Sequence, residues 1–372
     1  MKKDTNNNAI VYCEGGFNST NGKTAHGLVR FTERFRIIAV IDSKYQGRDS
    51  GLVLDGKPNG IPVVKDLNDG LIHATGMGIS ISGFIIGLAP DGGRLPEHAL
   101  KAVKVALKAR LNVYSGLHDY LSDNEELTRL AARNNCTLTD IRKPPEVSKL
   151  HFFSGKIEQV KCLKIALLGT DSAVGKRTTA WKLVHGLRKF GYKAELIGTG
   201  QTAWLQGARY SIILDSLIND FVSGEIEHAV YEAWQNESPD VIILEGQGSL
   251  LNPAYPGGFE LLAAGRPDLV ILQHAPRRKE YDGFPGNPIH PLNHQVLAIE
   301  VISGRKVYAI TLNHEGMDSS EIVGECAKIS KETGIRAFDV LEHGADDLVK
   351  LIQPLIRKWE PREIRQSSFS KA

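Results

Sequence analysis

The sequence predicts an α/β protein of two doubly wound parallel-sheet domains, residues 1–145 and 146–372. Three observations predict it. Short apolar runs of strand length alternate with stretches of helical periodicity along nearly the whole chain, the rhythm of βαβ units. One apolar run, Ile165–Leu168, enters a glycine loop and then a helical pattern, the context of a phosphate-binding loop. Between the halves, Arg142–Lys149 (RKPPEVSK) carries two prolines and mixed charge and reads as a semi-rigid linker.

In the first half, Ala9–Cys13 reads as a strand leading into Glu14-Gly15-Gly16, Thr24–Phe31 as a helix and Arg36–Ile41 as a second strand ending at Asp42. This is Rossmann-like, with Asp42 where a dinucleotide domain holds its ribose. The first turn, however, lacks the G-x-G-x-x-G spacing, so a plain turn aspartate is the better reading and NAD is not expected. Strands follow at Ile61–Val64 and Gly83–Gly87, then a turn through Ala89–Gly93 and a helix opened by Pro96, with apolar positions at Leu100, Val103, Ala106 and Leu107. Leu111–Tyr114 is a strand closed by Ser115-Gly116-Leu117-His118. Ser122 and Glu125 spell a capping box for the helix carrying Leu127, Leu130 and Ala131, and Cys136–Ile141 is the last strand. Gly92, Gly93, Ser115 and His118 sit at strand ends that can line a crevice, with His118 the substrate-binding candidate.

The second half is organised around Ile165–His185, IALLGTDSAVGKRTTAWKLVH. Gly169, Thr170, Asp171, Ser172, Ala173, Gly175, Lys176, Arg177, Thr178 and Thr179 form the candidate anion site, a P-loop or Walker A pattern. Glycines let the backbone wrap a phosphate, the helix start offers unpaired N–H groups, and Lys176 adds charge. The spacing departs from G-x-x-x-x-G-K-[ST]. Five residues separate the glycines, and Arg177 follows the lysine where a metal-holding hydroxyl is usual. Thr178 comes one residue late, roughly 100° around the helix. No metal site is expected, and this P-loop NTPase-like domain has gained a cation instead.

Lys193–Ile197 reads as its second strand and Asp220–Trp234 as an amphipathic helix. Asp240–Leu244 is a buried strand delivering Glu245-Gly246-Gln247-Gly248-Ser249. Glu245, beside a phosphate loop, stands where a functional carboxylate is usual. Asp268–Gln273 ends at His274, and the proline- and glycine-rich stretch to His294 begins with Arg277 and Arg278, which can hold a carboxylate or a phosphate. His290 and His294 are four apart, but Pro291 and the lack of a third ligand argue against zinc. Lys306–Leu312 leads to Asn313, a candidate adenine contact, and Gly334–Val340 and Ala345–Ile356 close the domain.

Composition bounds the rest. At 24% charged and 42% hydrophobic residues the chain is an ordinary soluble globular protein, and a net charge of +2 implies no general affinity for nucleic acid or membrane. Four scattered cysteines without a CxxC pair argue for a reducing compartment and against structural zinc. The polar start MKKDTNNNA lacks a signal peptide's apolar stretch and no run is long enough to span a bilayer, so a cytoplasmic protein is expected. Composition leaves self-association open.

Two resemblances sharpen the reading. GTDSAVGK and Glu245-Gly246 resemble the phosphate loop and E-G motif of dethiobiotin synthetase. More broadly, "APDGGRLP" and "VYSGLHDYL" in the first half, with "GTDSAVGKRTTA" and "ILEGQGSLLNPAY" in the second, resemble the former domain-of-unknown-function family in which D-glutamate N-acetyltransferases have been recognised. The likeness covers about residues 9–357. It implies acetyl-CoA as donor and an acidic D-amino acid as acceptor, so the expected partner is a small-molecule amino acid. Lys176 and Arg177 would then hold the CoA phosphates without Mg²⁺, Arg277 and Arg278 the acceptor's carboxylates, and Glu245 and His274 are the candidate bases. The competing expectations are an ATP- and Mg²⁺-dependent ligase or kinase, and a non-catalytic nucleotide-sensing module.

Overall fold

Apolar strand sequences in this chain are buried on both faces, which requires parallel sheets covered by helices. The structure is a computed structural model describing residues 7–357. It divides into two units.

The first unit comprises residues up to Pro145 together with Gly200–Ala208. Its elements run β1 (Asn8–Tyr12), α1 (Lys23–Arg30), β2 (Arg36–Ile41), α2 (Ser50–Asp55), β3 (Val63–Val64), α3 (Leu67–Gly76), β4 (Gly83–Ile86), α4 (Glu97–Lys108), β5 (Asn112–Ser115), α5 (Glu125–Arg133) and β6 (Leu138–Asp140). The sheet is six-stranded, in the order β3-β2-β1-β4-β5-β6, with every pairing parallel. That is the Rossmann strand order, with its switch point between β1 and β4. Near the switch point the chain's polar groups pair with one another. Asp42 is fully buried and accepts from the backbone N–H groups of Phe17 and Lys44. His26 meets the carbonyl of Phe17, and Ala25 N–H donates to Gly87 O.

Two local expectations change. The capping box at Ser122 does not form. Asn124 is the N-cap of α5, its side chain accepting from Glu126 and Leu127 N–H, while Ser122 N–H donates to Asp140. A 3₁₀ turn at Leu121–Asp123 moves the helix start two residues on, and asparagine caps as well as serine. Gly200–Ala208, from the second half of the sequence, packs in the first unit through α7 (Gln201–Gln206). Gln206 Nε2 donates to the carbonyls of Gly27 and Phe31 at the end of α1, and the Arg34 guanidinium lies 4.0 Å over the Trp204 ring.

The second unit comprises Glu146–Thr199 and Arg209 onward. Its elements are β7 (Leu163–Gly169), α6 (Lys176–Lys189), β8 (Ala194–Gly198), β9 (Tyr210–Ser211), α8 (Asn219–Glu237), β10 (Val241–Glu245), α9 (Phe259–Ala263), β11 (Leu269–His274), α10 (Leu292–Ser303), β12 (Val307–Leu312), α11 (Ser319–Thr333), β13 (Ala337–Phe338), α12 (Val340–His343) and α13 (Asp346–Arg357). The seven strands lie in the order β13-β12-β11-β7-β10-β8-β9, all parallel. All seven residues of β7 are buried, between β10 and β11. The polar groups at the carboxyl ends of β7, β10, β11 and β12 therefore come to one edge, where parallel sheets bind ligands. Among the described residues, no helix is long and apolar enough to cross a membrane.

Candidate functional site

The loop between β7 and α6 folds back on its own lysine. Lys176 Nζ donates to the carbonyls of Asp171 at 2.7 Å and Gly248 at 2.8 Å. Its stem crosses Gly169 so closely that a Cβ there would stand 2.8 Å from Lys176 Cδ and displace the lysine. Burial pulls the ammonium down to about 8, against the pull of Asp171 and Glu245. These bonds use two of the three N–H donors of the ammonium. Gly175 caps α6 at φ 99°, a left-handed conformation natural to glycine. The first turn of α6 lacks intrahelical partners for its N–H groups, as at any helix start.

Asp171 serves the loop as a brace. Its carboxylate is fully buried and accepts from Ser172 N–H (2.7 Å), Asn252 Nδ2 (2.8 Å), Arg278 (2.9 Å) and Asp282 N–H (2.9 Å). Arg278 also donates to Ser172 O and Glu315. One carboxylate thus ties the phosphate loop to the turn at Asn252 and to the long stretch after β11. Arg277 forms an exposed ion pair with Glu321 at 2.6 Å.

On the other flank, Gln273 at the end of β11 is fully buried and its Oε1 accepts from the hydroxyls of Thr179 and Thr311. Gln273 Nε2 and Asn313 Nδ2 each lie 3.8 Å from where a side chain on Gly175 would begin. Asn313 Nδ2 donates to Val174 O at 3.1 Å, so this side chain clamps the loop backbone. Thr170 N–H donates to Gln273 O, and the Thr170 hydroxyl is 3.0 Å from His274 Nδ1. Burial pulls the His274 ring down to about 4, so it is neutral at physiological pH. Glu245, at the end of β10, accepts from Thr199 N–H, and burial pushes its carboxyl up against the opposing pull of Arg177, that hydrogen bond and Lys176. Thr178 follows in the first turn of α6, and Ala173 takes a left-handed φ of 52° in the loop.

Among the proposed site residues, Gly169–Thr179, Glu245, His274, Arg278 and Asn313 therefore share one sheet edge. His118 belongs to the first unit, where its Nε2 is 3.1 Å from Arg142 and its backbone N–H donates to Gly93 O. Asn252, Gln273 and the pair His314–Asp339 escaped the sequence reading. A glutamine closing the apolar strand LVILQH was a signal for Gln273. No spacing rule joins His314 to Asp339, 25 residues on, yet Nδ1 of His314 lies 2.6 Å from Asp339 Oδ2. Among the described residues, no group of three or more His, Cys, Asp or Glu side chains is placed to hold a metal ion.

Known proteins fit this architecture. The family model described as the P-loop domain of a domain of unknown function, DUF1611, matches residues 151–349, and its Rossmann-like companion matches residues 43–144. The chain is 29% identical over 299 residues to a protein of Pseudoalteromonas sp. named D-glutamate N-acetyltransferase, covering 78% of this chain and 87% of the relative. It is 31% identical over 271 residues to one of the same name from Tritonibacter scottomollicae, covering 71% of this chain and 79% of the relative. The crystal structure of a DUF1611 family protein from Anabaena variabilis ATCC 29413 superposes with a TM-score of 0.85 at 28% identity, over 94% of this chain and 100% of that one. The phosphate-loop unit, the Rossmann-ordered unit and these matches agree, and the chain belongs to the DUF1611 family.

Proposed function

We propose that this protein transfers an acetyl group from acetyl-CoA to the amino group of D-glutamate or a closely related acidic amino acid. The observation that carries the reading is the likeness, over more than two thirds of the chain, to two proteins named D-glutamate N-acetyltransferase. The loop's chemistry supports the donor. CoA carries a pyrophosphate and a 3′-phosphate, and the site presents a buried ammonium, the helix start, and a second cation at Arg177. Lys176 and Arg177 would hold the phosphates, with Gly169 and Gly175 giving the close approach. Arg278 is engaged as a brace of the loop. Arg277, whose ion pair with Glu321 is exposed and weak, is the guanidinium we assign to the acceptor's carboxylate.

The test mixes enzyme, acetyl-CoA and a panel of D- and L-amino acids, and follows thiol release. Release is expected with acidic amino acids and unaffected by a chelator. Lys176→Ala should weaken acetyl-CoA by at least tenfold, about 1.4 kcal/mol, read by calorimetry. Mg²⁺-dependent ATP turnover with an acidic amino acid, and no thiol release, would replace this reading with a ligase.

A further inference from the structure

We infer that His314, held by Asp339, is the general base that takes the proton from the acceptor's ammonium group. The inference rests on the proposed acetyl transfer and adds the residue that performs its proton step.

Position comes first. His314 is the second residue after β12, on the sheet edge that carries the phosphate loop. Its two chain neighbours are both tied to that loop. Asn313 donates to Val174 O, and Glu315 accepts from Arg278, which itself holds Asp171 and Ser172 O. Asp339 is the N-cap of α12, and two residues on, the Leu341 side chain lies 3.5 Å from where a side chain on Gly175 would begin. Lys182 of α6 donates to Leu341 O, closing the same small frame.

Geometry comes second. Asp339 is buried, and its two oxygens have separate uses: Oδ1 accepts from Glu342 N–H at 2.8 Å, and Oδ2 faces His314 Nδ1 at 2.6 Å. A carboxylate only accepts, so Nδ1 carries the proton and donates. That fixes the tautomer and leaves the lone pair on Nε2. The His314 side chain is about one third exposed, so it is open to solvent while Asp339 holds Nδ1. A carboxylate orienting an imidazole, which in turn faces the reactants, is the arrangement general-base catalysis uses on unrelated folds. The ionisable groups on the flanking segments include Asp339, Glu315 with Arg278, Glu321, Glu325 and Cys326 of α11, and Glu342 and His343 of α12.

The two other candidates are less suited. His274 is partly buried, with Nδ1 against the Thr170 hydroxyl, and its lowered basicity leaves it a poor acceptor of a proton from an ammonium. Glu245 is buried beside the two cations of the loop, and Thr199 N–H holds one of its oxygens. Both fit the support of the phosphate loop.

The step balances. Nε2 accepts one proton from the ammonium, and the freed nitrogen lone pair attacks the thioester carbonyl carbon. The C–N bond forms and the C–S bond breaks as the tetrahedral adduct collapses. The second proton lost by the nitrogen goes to the departing thiolate, giving free thiol, and the imidazolium returns its proton to solvent.

The experiment compares wild type with His314→Ala, His314→Gln and Asp339→Asn. The histidine variants should lower kcat by at least ~100-fold. Their acetyl-CoA affinity, read by calorimetry, should stay within about threefold, since phosphate binding is a separate contact. The acid limb of the wild-type kcat/KM profile should vanish, and added imidazole should restore part of the rate of His314→Ala. NMR of the histidine ring nitrogens should show His314 protonated at Nδ1 in wild type, with that signal shifted or lost in Asp339→Asn. Should the alanine variant lose coenzyme binding, and so its fold, the glutamine variant decides. Either folded variant with kcat within threefold of wild type and an unchanged acid limb overturns the assignment, as does an Nε2-protonated ring in wild type. A wild type that transfers no acetyl group to any acidic amino acid instead overturns the proposed function.

Discussion

After β1 the chain turns through Glu14, Gly15 and Gly16 into α1, and after β7 it turns through residues 170–175 into α6. Both turns leave an interior parallel strand, both carry glycines, and both have a buried aspartate beside them. They use it differently. Asp42 reaches across from the next strand and accepts the turn's own Phe17 N–H, while His26 meets Phe17 O. Asp42, the side chain that would face a ribose, is thereby engaged by the turn's own backbone. Asp171 lies within its loop and turns outward, to Asn252, Arg278 and Asp282. The phosphate loop is braced from behind, and Lys176 is folded back against the loop's Asp171 O and against Gly248 O. A glycine turn between strand and helix does not by itself make an anion site. The two buried aspartates differ in where their partners lie: Asp42 holds its own turn, Asp171 chiefly distant segments.

The carboxylates offer the sharpest way to break this contrast. Asp171→Ala leaves Arg278, mostly buried, short of one partner and frees two anchored segments. It should cost about 3 kcal/mol or more in a denaturant melt and abolish coenzyme binding by calorimetry. Asp42→Ala removes two backbone partners and should cost about 1–3 kcal/mol while leaving coenzyme affinity unchanged. Equal losses of coenzyme affinity in the two variants would erase the distinction. Saturable NAD(H) binding that disappears with Asp42→Ala would do the same from the other side.

A smaller effect sharpens the account of the phosphate-loop unit. His274 is held down to about 4 in the folded protein against an ordinary value of 6.5. Between those values the unfolded chain binds a proton that the folded one does not. Its contribution to stability is full above 6.5 and is lost as pH falls toward 4. Melting temperature followed from pH 7 to 4 should therefore fall less steeply in His274→Gln than in wild type. An identical slope in the two would show that the ring's burial does not shape the acid response.

The smallest effect concerns the first unit alone. Asn124→Ala should cost about 1 kcal/mol as a lost helix cap, and Ser122→Ala distinctly less. The reverse ranking, in paired denaturant melts, would restore the capping box that the sequence suggested.

The chain by itself determined the two parallel sheets and the phosphate loop. Apolar runs such as Ile165–Leu168 are buried on both faces, a condition that periodicity records locally, and Gly175-Lys176 at a strand-to-helix junction is a local pattern too. Only the tertiary structure decided the partners. It turned Asp171 and Arg278 toward each other across 107 residues of chain, and set Gln273 and Asn313 against Gly175. It drew Gly200–Ala208 into the first unit and brought His314 to Asp339. The physical reason is range. Hydrophobic periodicity and turn chemistry act over a few residues and are written in order along the chain. A buried polar side chain must find a hydrogen-bond partner wherever packing delivers one, and nothing in the local sequence says which residue that will be.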